Sequence, residues 1–418
     1  MSNLRKSAIP HNIVPKGKGF PLDPYVAASA ALLLLMGIVL VGSASTEIAA
    51  RTYGNSLHLL IKHLVYLVIS LSVAAGALMV PVRVWQRLDM VLLFLSFVLL
   101  VAVLIPGIGH KVNGSTRWIS LGFFTIQGSE FVKFFSAVYI AGYLVRRKTA
   151  VLTTISAFVQ PLVVLGCMVG LLILQPDFGA SVVIMVAMMG VIFLAGVPFS
   201  RFLPLILFVL VVTAIIAQWQ PYRLERLTTF SNPWDHQFDS GYQLTQALIA
   251  FGRGEWFGLG LGNSIQKLFF LPEAHTDFLF SIAGEEYGVL GAVLFICLFF
   301  GMVIRGIWIG RNARKLELEF HALLAYAISI LLGVQATINI GVNIGLLPTK
   351  GLTLPLVSYG GNSLIVSCVL VAVLLRIEYE CREQSQQVDR KSGSASKTAG
   401  RTARVLRSSK ADLAGELT

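Results

Sequence analysis

The chain has 418 residues, of which 56% are apolar and 13% are charged, and its formal net charge is +12. A soluble domain has about 25% charged residues, so this composition excludes a soluble enzyme and also a disordered chain. The apolar residues come in blocks of about twenty, the length that a helix needs to cross about 30 Å of hydrocarbon. The sequence therefore predicts an all-α polytopic membrane protein.

Ten apolar blocks are long enough to be interpreted as transmembrane helices. In chain order they cover residues 25–45, 58–80, 89–106, 130–145, 157–174, 179–198, 201–218, 278–303, 320–344 and 362–380. A basic leader precedes the first block, as in a signal peptide, but this block is longer than a signal sequence and the other nine follow it. We interpret it as an uncleaved membrane anchor.

Basic residues are distributed unequally between the two sides of these predicted helices. With the N-terminus in the cytoplasm, most of the 33 Lys and Arg residues fall on the inner side, which is the positive-inside pattern. We therefore predict that both termini are cytoplasmic. The net charge then reflects membrane topology and attraction to anionic lipid rather than binding to nucleic acid.

The composition divides the chain into three parts. Residues 1–22 form a predicted cytoplasmic tail, residues 23–380 a transmembrane domain, and residues 381–418 a basic cytoplasmic tail. The last part is rich in Ser, Lys, Arg and Gln and has no apolar periodicity, so we expect it to be disordered.

One outer loop, residues 219–277, is much longer than the others, and long loops without obvious regular structure are usually functional or disordered. Its aromatic residues, glycines and mixed charges predict a folded loop that lies on the membrane. Within it, the helical spacing of apolar residues in Gly241–Phe251 predicts an amphipathic helix at the interface. A later loop, residues 345–361, contains Pro and Gly that break helices, so we expect its backbone to line a cavity or to be buried in protein.

The segment Leu271–Phe278 holds the strongest candidate for catalytic chemistry. A carboxylate at a partly dry interface can have its pKa raised, and Asp277 would then be a competent general base. The competing interpretation is that Asp277 caps the N-terminus of the eighth predicted helix. Glu285 and Glu286 lie two turns deeper, where a charged group is costly, so they are either functional or members of a structural ion pair.

Other polar residues lie within or beside the predicted helices. Lys62 and His63 fit a structural role in which the lysine snorkels to the interface. Asp177 lies in a tight turn, where it can cap a helix. Glu130 and Lys133 share a helix face, so they could neutralise each other or contact a substrate.

Basic residues of the outer loops are expected to surround one cavity. Arg binds phosphate through paired hydrogen bonds, and Lys binds it as a point charge. Such cations next to one candidate base fit an anionic, lipid-linked substrate, although each cation could equally be a solvated residue of the rim. The cations are Arg117, Arg223, Arg226, Arg253 and Lys350.

Four sequence blocks resemble the SEDS family (shape, elongation, division, sporulation). The blocks are Asn113–Ile119, Gln175–Asp177, Gly258–Gly288 and Asn339–Gly361. The resemblance covers about residues 25–380. Two short segments, Tyr242–Leu244 and Thr349–Gly351, are more similar to the division branch of the family than to the elongation branch.

The resemblance implies a peptidoglycan glycosyltransferase that polymerises lipid II into β-1,4 glycan strands during septal wall synthesis, in the bacterial inner membrane. It implies a class B penicillin-binding transpeptidase and other membrane proteins of the division complex as partners. A lipid II flippase and a non-enzymatic scaffold for the transpeptidase are the alternatives.

The resemblance also assigns site residues. Asp277 matches the essential aspartate of the family, and the expected mechanism has it deprotonate the acceptor GlcNAc C4 hydroxyl, which attacks the anomeric carbon of the donor and displaces undecaprenyl pyrophosphate. Arg223, Arg226, Lys350 or a divalent metal (Mg or Mn) could receive the charge of the leaving group, and no other cofactor is expected. The expected substrate-binding residues are Arg117, Trp118, Glu130, Lys133, Arg223, Glu273, His275 and Lys350.

One departure from the family pattern affects the fourth predicted helix. The family has Gln-Pro-Ser/Ala-Glu at its start, whereas residues 127–130 of this chain are Gln-Gly-Ser-Glu. Because proline at the first position pre-organises a helix, we expect its loss to change how this helix begins.

Overall fold

The computed structural model describes residues 22–112, 115–120, 122, 125–204, 230, 232–239, 241–349 and 351–387, and within these ranges the chain is a bundle of helices. The all-α prediction is confirmed. In chain order the helices are α1 (Pro24–Tyr53), α2 (His58–Met79), α3 (Val82–Arg87), α4 (Asp89–Leu104), α5 (Gly128–Arg146), α6 (Lys148–Thr153), α7 (Ile155–Leu174), α8 (Phe178–Leu194), α9 (Tyr242–Gly254), α10 (Leu279–Lys315), α11 (Glu319–Asn343) and α12 (361–387).

Nine of the ten predicted transmembrane helices coincide with long helices of the structure. The seventh, 201–218, falls almost entirely outside the described residues. Among those residues, five helices are long and apolar enough to cross a membrane (α1, α2, α7, α10 and α11), and α4 and α8 are shorter apolar helices. Helix α12 continues to residue 387, past the boundary at 380 that the composition indicated.

Helix α11 lies at the centre of the bundle. In its most apolar stretch 72% of the residues are buried, against 17% in α2, because α5, α8 and α10 all pack against α11. Helix α5 is at least as deeply buried although it carries Glu130 and Lys133. The two side chains pair within the protein (Nζ to Oε2, 2.7 Å), which offsets part of the cost of burying their charges.

A small antiparallel sheet follows α4, in the outer loop where no strands were predicted. Its strands β1 (Gly109–Val112), β2 (Ser115–Ser120) and β3 (Thr125–Gln127) pair in the order β1-β2-β3. The middle strand contains Thr, Trp and Ile, which favour extended structure, but it is too short to stand out in a chain that is mostly apolar. The sheet matters because β2 carries two of the predicted substrate-binding residues.

Helix α10 is interrupted at Gly288, where φ is 68° and ψ is −167°. Backbone groups of the helix that lose their helical partners at this interruption bond instead to a segment of the long outer loop, residues 255–260. The carbonyls of residues 285–286 accept from the N–H groups of residues 259–260 (3.0 and 3.1 Å), and the N–H groups of residues 289–290 donate to the carbonyls of residues 255–256 (2.9 and 3.3 Å). This interruption is not visible in the sequence, because a single glycine in an apolar block does not reveal one.

Candidate active site

Asp277 lies in a short segment, the strap (residues 271–278), that leads from the long outer loop into α10. The interpretation of Asp277 as a helix cap is wrong, because the N-cap position of α10 is Phe278 and no side chain of its own segment caps it. Instead, Asn343 of α11 accepts from the Ser281 N–H with its Oδ1 (3.0 Å). The carboxylate of Asp277 is therefore free of a capping role and faces a cavity.

The cavity beside Asp277 has a volume of about 500 Å³, within the range of roughly 300–1,000 Å³ that small-molecule sites occupy. It is bounded by α2, the outer sheet, α5, the α7–α8 turn, the strap, the segment 351–360 and the start of α12. The predicted site residues that line it are Arg117, Trp118, Glu130, Glu273, His275 and Asp277. Lys133 lies behind Glu130, while Arg223 and Lys350 fall outside the described residues.

A second, smaller cavity of about 180 Å³ is also lined by Asp277. Arg117, Asp277 and Gly351 line both cavities. Two polar residues also line the smaller cavity, Gln243 of α9 and Thr349 of the segment before Gly351. The first residues of α8 complete its wall. Asp277 and Arg117 thus lie at the junction of two cavities.

The position of Asp277 changes its acidity. Burial raises its pKa to about 7, the negative charge of Glu273 adds to the effect, and Arg117 opposes it. A carboxylate with a pKa near the working pH is well suited to general base catalysis, because it is partly ionised yet basic enough to take a proton. The raised pKa of Asp277 agrees with the prediction made from the sequence.

The strap is a compact turn around Glu273, which has a positive φ of 54°. The Glu273 carbonyl accepts from the N–H groups of Thr276 and Asp277 at 3.1 and 3.2 Å. His275 packs against the ring of Tyr359 (5.4 Å between centroids), and its backbone carbonyl accepts from the Tyr359 N–H (3.1 Å). Burial lowers the pKa of His275 although Glu273 raises it, so this imidazole is neutral at neutral pH.

Arg117 is attached to the turn between α7 and α8. Its Nε and Nη2 donate to the carbonyls of Gln175 (3.3 Å) and Pro176 (2.5 Å). Asp177 caps α8 as predicted, with Oδ1 accepting from the Ala180 N–H (3.3 Å). These bonds fix the Arg117 side chain at the wall of both cavities.

The ion pair between Glu130 and Lys133 is also connected to α11, because Lys133 Nζ donates to Oε1 of Gln335 (2.7 Å). Glu130 still reaches the large cavity, so the neutralised pair and the substrate contact are compatible for this residue. Helix α5 begins at Gly128, the position at which the family pattern has proline.

Lys62 lies in the lining of the large cavity, which replaces the interpretation that it serves only as a snorkelling residue. Tyr66, Tyr359 and Asn362 also line this cavity and were missed as site residues. The signal that could have found two of them is the polar run 358–363, where serine, tyrosine, glycines and asparagine interrupt an apolar stretch.

Glu285 and Glu286 do not line either cavity, and the structural interpretation of both is confirmed. Glu285 accepts from Ser264 Oγ (2.5 Å) and from the N–H groups of residues 265–266 (3.1 and 3.2 Å). Glu286 pairs with Lys267 (Oε1 to Nζ, 3.0 Å). Both carboxylates therefore fasten the long outer loop to α10.

The family model for the cell cycle proteins FtsW, RodA and SpoVE matches residues 24–383 of the chain. The probable peptidoglycan glycosyltransferase FtsW of Pseudomonas fluorescens (strain SBW25) is 51% identical over 366 residues, which are 88% of this chain and 90% of the relative. The protein of the same name from Hahella chejuensis (strain KCTC 2396) is 52% identical over 368 residues, 88% of this chain and 93% of the relative.

Solved structures agree with these sequence relatives. A chain of a peptidoglycan synthase complex that coordinates polymerization and crosslinking is 28% identical with a TM-score of 0.72, covering 87% of this chain and 99% of that one. The rod shape determining protein RodA of Thermus thermophilus is 26% identical with a TM-score of 0.63, covering 85% and 96%. The resemblance inferred from the sequence blocks is confirmed: the chain belongs to the FtsW/RodA/SpoVE family of cell cycle proteins.

Proposed function

We propose that this protein is a peptidoglycan glycosyltransferase of the FtsW type, which polymerises lipid II into β-1,4 glycan strands during septal cell-wall synthesis. The names of relatives at about half identity support this activity. The observation that carries the proposal is the carboxylate of Asp277, with a pKa of about 7, at the junction of two cavities beside Arg117.

In the proposed reaction, Asp277 takes the proton of the C4 hydroxyl of the acceptor GlcNAc. The oxygen forms a bond to the anomeric carbon of the donor while the bond from that carbon to the pyrophosphate oxygen breaks. Undecaprenyl pyrophosphate leaves with the bonding electrons, and attack from the opposite face converts an α-linked donor into a β-1,4 product. The proton on Asp277 is then lost to water.

The two cavities suggest where the reactants lie. We assign the acceptor sugar to the large cavity, with Trp118, Glu130 and His275 in its wall, and the departing pyrophosphate to the small one. Arg117 faces both, and preorganised cations that meet the developing charge lower the barrier most effectively in a site that excludes water. Lys350 lies in the sequence between two residues of the small cavity's wall, and we propose it, with Arg223, as a further cation.

A divalent cation such as Mg or Mn is the one cofactor that the sequence left open, as a group that could receive the charge of the leaving group. Within the described ranges, no group of three His, Cys, Asp or Glu side chains is arranged to hold a metal. No step of the proposed reaction depends on a metal.

Partners and location follow from the same proposal. We infer that lipid II is the substrate, and that a class B penicillin-binding transpeptidase and other membrane proteins of the division complex are the partners, in the inner membrane at the septum. The support is the similar chain from a complex that couples polymerization to crosslinking, together with the apolar helices of this chain.

The test is polymerisation of lipid II by the purified chain with its transpeptidase partner, comparing wild type with Asp277→Asn. We expect glycan ladders from the wild type alone, since a positioned base contributes about 10²–10⁴-fold. Both proteins are first shown to fold and to bind the partner equally. Ladders from both would move the base to another residue, with Glu273 and His275 as the next candidates.

The interrupted helix α10 is a feature that transporters use at their substrate sites, and it is the one observation that favours the flippase alternative. However, the backbone groups of α10 that the interruption frees are hydrogen-bonded to the chain's own residues 255–260 and are not open to a transported ligand. Two results together would support the flippase over the polymerase. The wild type would make no glycan in an assay where a known polymerase succeeds, and it would transfer lipid II across the membrane of vesicles.

A further inference from the structure

Helix α11 carries three amide side chains on one face, Gln335, Asn339 and Asn343. Residues spaced by four lie one above the other on a helix, and these three are 5%, 2% and 0% exposed. A buried amide is costly unless its donors and acceptor are satisfied, so their hydrogen bonds show which parts of the protein they connect.

The two asparagines converge on the backbone of the candidate base. Nδ2 of Asn339 and Nδ2 of Asn343 both donate to the carbonyl oxygen of Asp277, at 2.8 and 3.0 Å. Asn339 Nδ2 also donates to the Leu352 carbonyl (2.5 Å), and Asn343 Oδ1 accepts from Ser281 N–H and Oγ–H (3.0 and 2.7 Å). One pair of amides thus joins the strap, the first turn of α10 and the cavity wall at residue 352.

The side chain of Asp277 is not fixed in this way. Among the described residues its carboxylate accepts no hydrogen bond and forms no ion pair of its own, so its place depends on where the backbone is held. The N–H of Asp277 donates to Glu273 within the strap (3.2 Å). The bonds from Asn339 and Asn343 therefore tie the Asp277 backbone directly to α11, at the centre of the bundle.

We propose that Asn339 and Asn343 are positioning residues, which hold the carboxylate of Asp277 at the junction of the two cavities. The inference rests on the proposed function, in which Asp277 is the base. Neither asparagine lines either cavity, so they act through Asp277 and not on the substrate. A shift of about 1 Å in a reacting group can cost about 10²-fold in rate, which sets the scale of the effect.

The test compares Asn339→Leu, Asn343→Leu and the double variant with wild type. The matched control is Thr337→Val on the same helix, because Thr337 is exposed and, among the described residues, its hydroxyl bonds to the Gly333 carbonyl of its own helix alone (2.7 Å). We expect kcat for lipid II polymerisation to fall about 10-fold in each single variant and about 10²-fold in the double variant. KM and lipid II binding stay within about twofold of wild type, and the control is unchanged.

The pH profile separates positioning from a general loss of structure. Asp277 faces Glu273 of its own strap, Arg117 of β2 and Asp177 of the α7–α8 turn. When Asn339→Leu releases the strap, the carboxylate gains contact with water, so the acidic limb of the rate profile moves to lower pH. A structural defect that only reduces the amount of folded enzyme would lower the rate at every pH without moving this limb.

Two further measurements keep the test decisive. Asn343→Leu also removes the acceptor for Ser281, so if it fails to fold, Asn339→Leu and the smaller Asn339→Ser carry the comparison. Hydrogen exchange of the amides at 277–281 reports the tether without any activity, and we expect faster exchange in the asparagine variants than in Thr337→Val.

An unchanged kcat, a loss confined to KM, or unchanged exchange would overturn the positioning role. Wild type that makes no glycan, where a known polymerase does, would instead refute the proposed function. In that case the exchange of the 277–281 amides still decides whether the asparagines hold the strap.

Discussion

Gly351 lies against the carboxylate of Asp277 so closely that a Cβ built on the glycine would be 2.9 Å from Oδ2. The two residues come from different parts of the chain, the strap and the segment after α11, and they share the walls of both cavities. The missing side chain at Gly351 leaves the room that the carboxylate occupies.

Gly351→Ala should therefore displace the base without unfolding the protein, because the atom it meets is the end of a side chain and not backbone. We expect kcat for lipid II polymerisation to fall by about 10–10²-fold, the scale of a small misplacement, with a similar melting temperature. Gly252→Ala is the matched control, since its Cβ would meet nothing within 4 Å. Equal rates for the two variants would mean that Asp277 does not need this space.

The acidic limb of the pH–rate profile should reflect Asp277. Burial raises its pKa to about 7, and a base acts only when ionised, so the rate should rise about tenfold per pH unit below 7 and level off above it. The measurement is the initial rate of glycan formation between about pH 5.5 and 8.5. A flat profile across this interval would contradict the assignment of the base.

Glu273→Gln tests the cause of the raised pKa. The charge of Glu273 raises the pKa of Asp277, so its removal should move the acidic limb to lower pH, whatever happens to the maximal rate. Glu317→Gln, at an exposed position in the turn just after the C-terminal end of α10, should leave the limb in place. If the acidic limb moved to higher pH in Glu273→Gln, the charge of Glu273 would not be what raises the pKa of Asp277.

Asp277→Asn should make the protein more stable at neutral pH. The carboxyl has a pKa of about 7 in the fold against 3.8 ordinarily, so its contribution is fully present below pH 3.8 and is lost as the pH rises through 7. Asparagine does not ionise and keeps its contribution. The difference in apparent melting temperature between variant and wild type should grow from about pH 4 to 7 and then level off, and a less stable variant at pH 8 would refute this.

Gly288→Ala should destabilise the fold strongly. The position has a φ of 68° and a ψ of −167°, a backbone region that costs a residue with a Cβ about 1–3 kcal/mol, and that Cβ would lie 2.5 Å from the N of Gly258. Gly301→Ala, on the same helix with nothing within 4 Å, should instead be neutral or stabilising by up to about 1 kcal/mol. Thermal unfolding in detergent compares the two, and equal melting temperatures would show that the interruption of α10 is dispensable.

Glu285→Gln should loosen the long outer loop. The carboxylate accepts backbone N–H groups of residues 265 and 266 on its two different oxygens, and the amide of glutamine must turn an N–H donor toward one of them. We expect a loss of about 1–3 kcal/mol for the unsatisfied buried group and faster proteolysis within residues 255–270. Glu317→Gln again serves as control, and identical proteolysis would mean that Glu285 does not fasten the loop.

The long helices could be predicted from the amino-acid sequence, because blocks of apolar residues are a local property that the bilayer thickness makes easy to recognise. It also identified Asp277 as the candidate base and Asp177 as a cap, since both lie in short polar runs between apolar blocks. The family resemblance placed Arg117 and Glu130 near the same site, and the cavity lining agrees.

Which face of each helix meets protein and which meets lipid depends on how the helices pack in the folded chain. Both environments are apolar in a membrane protein, so hydropathy cannot separate them, and from the sequence Lys62 was interpreted as a structural residue that snorkels to the interface. The meeting of Asp277 with Gly351, Asn339 and Asn343 depends on helix packing between distant segments. Likewise, Gly288 interrupts α10 because residues 255–260 supply the hydrogen bonds that the helix gives up, and that exchange has no signature along the chain.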